Sequence, residues 1–381
     1  MRCSSATATR DAAPPRRQLA ATVLMPVRNE ETDIAEALRA VLAQDLPDGA
    51  LEVLVLDGRS TDATVDVVRR VASDARFAVR VLVNDGESAA AGLALGLREA
   101  TTDVVVRVDG HCVVPPDYVR RLLDVLDDEH VVAAGGSVQP VGRGRVGEGI
   151  ARAQCSRLAT GGAAFRHPGD GSPRDVDTVP FPAYRRDAVL AAGGFDVALV
   201  RNQDDALHAH LRRAGGRIVL VPDLVVRYAV RDSFRALARQ YFGYGHWKVL
   251  AWRRGAGLTS WRALAPAALV AGIVALGVAA ASVFALRAGA ADLGASLTVL
   301  GTTLLLVVVP AVLTLLYEVA ARIAYAFVTP GLSPLARLVA PLSAAVEGRA
   351  ITVMHLAYGV GFWWGVLRAS TVARSGARPS A

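Results

Sequence analysis

The chain has 381 residues, 42 Lys and Arg against 35 Asp and Glu, a formal net charge of +7 and 52% hydrophobic residues. That length suits one large domain or two ordinary ones, and the apolar fraction excludes a disordered polymer. Lys248 is the only lysine, and beside so much Ala, Val and Gly the arginine excess points to the base composition of the gene; no nucleic-acid partner is expected. Cys3, Cys112 and Cys155 lie far apart without a CxxC pair, so neither a disulfide framework nor a zinc knuckle is supported.

In chain order, residues 1–19 form a Ser/Thr/Ala/Arg-rich tail. Leu19–Val27 could mimic a signal-peptide core, but it is short, holds Pro26 and runs into Arg28-Asn29-Glu30-Glu31, which fits a buried first strand better. Strands are then expected at Ala21–Val27, Glu52–Asp57, Val79–Asn84, Val104–Asp109 and Val131–Gly135. Helices are expected between them, near Asp33–Ala43, Asp62–Ala72, Ala89–Ala100 and Asp117–Leu126, and an amphipathic helix at Asp204–Ala214. Strands apolar along their whole length are covered on both faces, which implies an α/β domain built on a parallel sheet. Ligands of such domains lie beyond the carboxyl ends of the strands.

The mean hydropathy of +0.34 has its source near the C-terminus. Leu264–Leu286 and Leu293–Tyr317 contain no charge, and each exceeds the roughly 20 apolar residues a membrane-crossing helix needs. Trp252, Trp261 and Tyr317 flank them as interfacial aromatics, and the short link Arg287–Asp292 makes the pair a membrane hairpin. Arg253, Arg254 and Arg262 before it and Arg322 and Arg337 after it place both flanks, and the N-terminal half, in the cytoplasm by the positive-inside rule. A third apolar run, Ile351–Leu367, is marginal in length and holds His355; it crosses, re-enters or lies in the interface.

The strand ends are unusually polar. The first ends in Pro26-Val27-Arg28-Asn29-Glu30, the second in Asp57-Gly58-Arg59-Ser60-Thr61-Asp62, the fourth in Asp109-Gly110-His111. Asp57 stands where a carboxylate can accept hydrogen bonds from a nucleoside, while Ser60, Thr61 and Asp62 can equally cap the next helix. Asp109 and His111 offer an oxygen and an imidazole on one side of an extended segment, donors that suit a divalent cation or the phosphates it bridges.

This ordered set of strand-end motifs resembles family 2 glycosyltransferases with the GT-A fold. Within that family it is similar to the membrane-anchored, succinoglycan-type exopolysaccharide transferases. Arg107-Val108-Asp109-Gly110-His111 stands where the family has Asp-x-Asp; Gly193-Gly194-Phe195-Asp196, Arg201-Asn202-Gln203-Asp204-Asp205, Arg231 with Ser233, and Gln240-Tyr241 through Lys248 match later blocks. The resemblance implies an inverting transfer of sugar from a nucleotide sugar, usually a UDP-sugar, to a hydroxyl of a lipid-linked saccharide. It implies that Pro26, Asn29, Glu30, Asp57 and Asp109 hold the donor, and that Asp109 with His111 holds Mg²⁺ or Mn²⁺.

By the same resemblance Asp204 is the general base and Asp205 the second candidate, with Gln203 replacing the family's glutamate. The alternative is that both acids only cap the helix they begin. His208, one turn on from Asp204, is expected as an ordinary surface histidine. Gln240, Trp247 and Lys248 are the expected acceptor-binding residues, unless their segment is simply an interfacial amphipathic helix. Asp57, Asp109 and Asp204 are thereby expected to meet around one activated sugar. The implied organisation is a catalytic domain over 20–232, an interfacial segment over 233–262, a multi-pass plasma-membrane domain of two or three helices over 263–368 and a tail over 369–381. A polyprenyl-phosphate sugar synthase and a catalytically silent membrane scaffold are the alternatives.

Overall fold

The computed structural model describes residues 21–167, 171–256, 261–288, 315–324 and 345–374. Four strands stand where the sequence places them: β1 (Ala21–Val27), β2 (Leu51–Asp57), β3 (Ala78–Val83) and β4 (Val104–Arg107). A two-residue β5 (Cys112–Val113) follows, then β6 (Val131–Val141), a two-residue β7 (Arg174–Asp175), β8 (Ala183–Arg185) and a long β9 (Arg217–Ala229). The sheet order is β3-β2-β1-β4-β8-β6-β9-β5, with β7 pairing on β9.

The sheet is mostly parallel, as the Rossmann-like fold class leads one to expect, with antiparallel strands inserted. The long pairings β2–β3, β1–β2, β1–β4 and β6–β9 are parallel, whereas β8 lies antiparallel between β4 and β6. That short strand escapes a hydropathy scan because it holds only Ala183, Tyr184 and Arg185.

Alternation along each central strand feeds two cores. Val23, Met25, Val53, Val55, Val104 and Val106 face one layer, built on α1 (Ile34–Leu42), α2 (Thr64–Ala72) and α4 (Tyr118–Leu126). Leu24, Leu54, Leu56 and Val105 face the other, built on α3 (Ala89–Glu99), α7 (Arg186–Ala191) and α8 (Gln203–Arg213). Between these lie α5 (Gly144–Gln154) and a single turn, α6 (Arg157–Thr160). Coverage of both faces is why β1 and β4 are buried at every position.

The C-terminal part is helical: α9 (Phe234–Ala251), α10 (Ala265–Ala288), α11 over residues 315–324 and α12 (Ala345–Arg374). A separate core of Ile150, Leu237, Ala321, Ile351 and Met354 joins α5, α9, α11 and α12. Helices α9 and α12 pack at backbone contact. A Cβ on Gly245 would lie 2.0 Å from the Tyr358 carbonyl oxygen, and one on Gly361 would lie 2.1 Å from that of Phe242.

Two long spans and a marginal third are the sequence expectation. Among the described residues one helix is long and apolar enough to cross a membrane, Ala345–Arg368 in α12, which contains the marginal run. The first expected span falls on α10, where Ala265–Gly277 is a shorter apolar stretch. Most of the second expected span lies outside the described residues, as does the tail at 1–19; of the tail expected over 369–381, residues up to Arg374 continue α12 and 375–381 lie outside the described residues. The start of α12 is not lipid-like: Glu347 is buried and accepts a 2.6 Å bond from Arg152 Nε on α5.

Candidate active site

A cleft of about 480 Å³ opens beyond the carboxyl ends of β1 and β4, opposite the start of α8 and one face of α9. On the β1 side it is lined by Pro26, Arg28 and Glu30. Asn29 and Asp57 do not line it; Asn29 ties the two strand-end loops together beside it, and Asp57 braces its own turn. Asn29 sits at φ +55°, which Asn tolerates better than most residues; its Oδ1 accepts from the Thr61 N–H at 2.8 Å, and its own N–H donates to Ser60 Oγ at 3.0 Å. Asp57 is 6% exposed and accepts the Ser60 N–H at 3.2 and 3.3 Å. Asp62 accepts from the Thr64 N–H at 3.0 Å just before α2, whose N-cap position is Ala63 and carries no side-chain cap.

Asp109 and Asp204, far apart in sequence, do meet. Arg107 ends β4 and grips Asp109 with both arms of its fork, Nε to Oδ1 at 2.7 Å and Nη2 to Oδ2 at 2.9 Å. Its remaining nitrogen, Nη1, donates to Asp204 Oδ2. The other oxygen of Asp204, Oδ1, is buried and has no hydrogen-bond partner among the described residues. Burial works to raise the Asp109 carboxyl, but the Arg107 charge and its hydrogen bonds outweigh it and hold the group below the ordinary 3.8. For Asp204 burial prevails: with the negative charges of Asp109 and Asp205 it lifts the group above 3.8 against the pull of Arg107.

Asp205 also lines the cleft, but its carboxylate is engaged by Lys248. Burial opposes its charge, but Lys248 Nζ at 2.7 Å lowers the group below 3.8, helped by a hydrogen bond from Thr178. Thr178 Oγ1 is also 2.8 Å from His208 Nδ1, whose Nε2 is 3.0 Å from the Tyr184 hydroxyl. His208 is therefore not a surface residue: it is 0% exposed, and burial lowers it to about 4, so it stays neutral at physiological pH. The helical spacing expected from the sequence is present, but it turns His208 toward the sheet.

His111 lines the cleft with its Nδ1 3.0 Å from Glu30 Oε1. Burial opposes the imidazolium, yet the Glu30 hydrogen bond and charge raise the group above 6.5. Among the described residues no group of three His, Cys, Asp or Glu side chains is placed to hold a metal ion.

The far wall belongs to α9. Gln240 and Tyr244 line the cleft; Gln240 Nε2 donates to the Tyr244 hydroxyl at 3.1 Å, and Gln240 Oε1 is buried without a partner among the described residues. One and two turns further on, the helix leaves the opening. Trp247 packs beside Leu199, Ala206 and Ala251, and Lys248 is spent on Asp205. Neither lines the cleft.

Several cleft residues have no role in the sequence analysis: Arg107, Thr178, Arg201 and Tyr244. Arg107 leaves the clearest trace, since an arginine closing a run of three valines needs a buried carboxylate partner. The others depend on the convergence of β8, α8 and α9.

A mixed sheet covered on both faces, with a polar cleft at its switch point and a carboxylate at a helix start across from β4, defines a glycosyltransferase of the GT-A fold. The description "Glycosyl transferase family 2" matches residues 22–189. Succinoglycan biosynthesis protein ExoA of Rhizobium meliloti is 33% identical over 230 residues, covering 58% of this chain and 67% of that protein. A dolichyl N-acetyl-alpha-D-glucosaminyl phosphate 3-beta-D-2,3-diacetamido-2,3-dideoxy-beta-D-glucuronosyltransferase of Methanococcus voltae is 24% identical, covering 61% and 74%. In fold, the mannosyltransferase PcManGT of Pyrobaculum calidifontis, solved with GDP-Man and Mn²⁺, is similar with a TM-score of 0.54 at 21% identity, covering 94% and 90%. The chain belongs to glycosyl transferase family 2, whose members act on nucleotide sugars.

Proposed function

We propose that the chain transfers a sugar, with inversion, from a nucleotide sugar such as a UDP-sugar to a hydroxyl of a lipid-linked saccharide. The observation that carries this is Asp204, which lines the cleft: one carboxylate oxygen is held by Arg107, and the other has no hydrogen-bond partner among the described residues. Inversion takes one in-line displacement, in which a single base removes the acceptor proton as the diphosphate leaves from the opposite side. Pro26, Glu30 and Asp109 face the donor; Asn29 and Asp57 shape that side from behind the lining. Gln240 orients the acceptor from α9, Asp205 with Lys248 fixes α8 against α9, and Trp247 packs the same junction.

Asp109 and His111 both open onto the cleft, and a carboxylate plus an imidazole suits Mg²⁺ or Mn²⁺ once diphosphate oxygens supply the remaining ligands. Such an ion would neutralise charge developing on the leaving diphosphate. Chelation with EDTA is expected to abolish transfer and added Mn²⁺ or Mg²⁺ to restore it; full activity after exhaustive chelation would remove the metal from this reading.

A polyprenyl-phosphate sugar synthase is the second reading. Its acceptor is an ionised phosphate, which carries no proton to give. Asp204 Oδ1 and Gln240 Oε1 are both acceptors lacking a donor, which favours an acceptor rich in hydroxyls. The glycan acceptor named for the Methanococcus relative supports the same choice. A silent scaffold would leave the raised Asp204 without a purpose.

The reading places the catalytic domain on the cytoplasmic face of the plasma membrane, serving exopolysaccharide or another surface glycan. Exposed Trp363, Trp364 and Leu367 on α12, and Val274 and Leu276 on α10, offer apolar surface to lipid. Transfer assays on membranes expressing the chain, with a panel of UDP-, GDP- and dTDP-sugars, test the activity; absence of transfer and of hydrolysis for every donor supports the scaffold instead. With the donor in hand, kcat is expected to fall as the pH drops through the ionisation of Asp204. The base works only when ionised, so activity is kept above that value and lost below it. Burial puts the limb above the ordinary 3.8, and a profile flat down to about pH 4 would remove Asp204 as base.

A further inference from the structure

Arg107 is 8% exposed and closes the apolar strand β4. Among the described residues it is the one group hydrogen-bonded to both Asp109, two residues on, and Asp204, 97 residues away in sequence. We propose that Arg107 is a positioning residue for transfer: its guanidinium ties the donor-side carboxylate Asp109 to Asp204 and leaves Asp204 Oδ1 alone to face the acceptor hydroxyl. This rests on the reading of Asp204 as base.

The geometry favours this over a structural brace. The start of α8 is anchored without Arg107: Asn202 Nδ2 donates to the Tyr244 carbonyl at 3.1 Å, Lys248 pairs with Asp205 at 2.7 Å, and His208 is held between Thr178 and Tyr184. Arg107 adds orientation to an element already in place. The fork on Asp109 sets the plane of the guanidinium, and that plane aims the third nitrogen at Asp204 Oδ2. A carboxylate so held by one oxygen cannot turn, so the lone pairs of the other keep a single direction. Lysine, a point charge with no fork, cannot hold both acids in fixed planes.

The test uses the full-length chain and the donor found in the panel, with UDP and GDP as binding probes. Arg107→Lys is expected to lower kcat by about 100-fold or more with both KM values changed by less than about threefold. In an Asp204→Asn background the same substitution is expected to add less than about threefold, because the group it orients has gone. Ethylguanidine is expected to restore turnover to Arg107→Ala but not to the Arg107→Ala/Asp204→Asn pair. Losses that multiply in the double variant, a rise in KM without a fall in kcat, or rescue in both backgrounds overturn the proposal. So does a lowered melting temperature with unchanged turnover per folded molecule; if Arg107→Ala does not fold, Arg107→Lys carries the comparison. Wild-type turnover in Asp204→Asn alone removes the base reading first, whereas an inactive Asp204→Asn with multiplying losses removes only the role of Arg107.

Discussion

Asp204→Asn is expected to lower transfer by about three orders of magnitude while UDP binding stays within about threefold of wild type, the range a positioned general base supplies. The amide keeps the shape of the side chain and can still accept from Arg107, so the cleft survives. It cannot take a proton from the acceptor. The carboxylate fits the task because burial lifts it above its ordinary 3.8, which strengthens it as a base. Asp205→Asn is expected to act differently: it removes the charge that pairs with Lys248 and so weakens the hold of α8 on α9, lowering the melting temperature along with activity. Single-turnover kinetics and calorimetry with UDP on both variants separate the roles. A wild-type rate in Asp204→Asn would show that another group takes the proton.

Gly361→Val is expected to part α12 from α9. A Cβ at that position would sit 2.1 Å from the Phe242 carbonyl oxygen and 2.8 Å from its carbonyl carbon, and backbone cannot move aside as a side-chain tip can. Overpacking ordinarily costs about 1–3 kcal/mol, and a clash with backbone on a helix pair this close belongs at or above the top of that range. Gln240 and Tyr244 project from the same α9, so the variant is expected to lose transfer while UDP binding on the β1 side is kept. Limited proteolysis should then release α12, and the melting temperature of the detergent-solubilised protein should fall. Gly272→Ala, where an added Cβ meets nothing within 4 Å, is the matched control and should change neither. Equal stability of the two variants would mean that α9 and α12 do not pack at backbone contact.

What the sequence determined by itself is what depends on short stretches of chain. Strands β1 to β4 are legible because each is a local apolar run; β1, β2 and β4 are covered on both faces and tolerate little else, while the edge strand β3 keeps its run although its residues are partly buried or exposed. The polar strand ends are legible because charge there interrupts an otherwise uniform pattern, and ordered motifs along 20–250 suffice to mark the family. Tertiary structure decided what depends on distant elements meeting. Strand β8 inserts antiparallel because three residues carry no periodicity, yet they fill the gap between β4 and β6. Asp57, indistinguishable in sequence from a ligand-binding carboxylate, is satisfied by the backbone of its own turn. Trp247 and Lys248 follow Gln240 along one helix, but the packing of α8 against α9 draws them off the opening. His208 became a core residue because Thr178 and Tyr184 arrive from another part of the chain to satisfy both its nitrogens. The pairing of Asp109 with Asp204 through Arg107 is of the same kind, since the partner of a buried charge is set by which strand end faces which helix start.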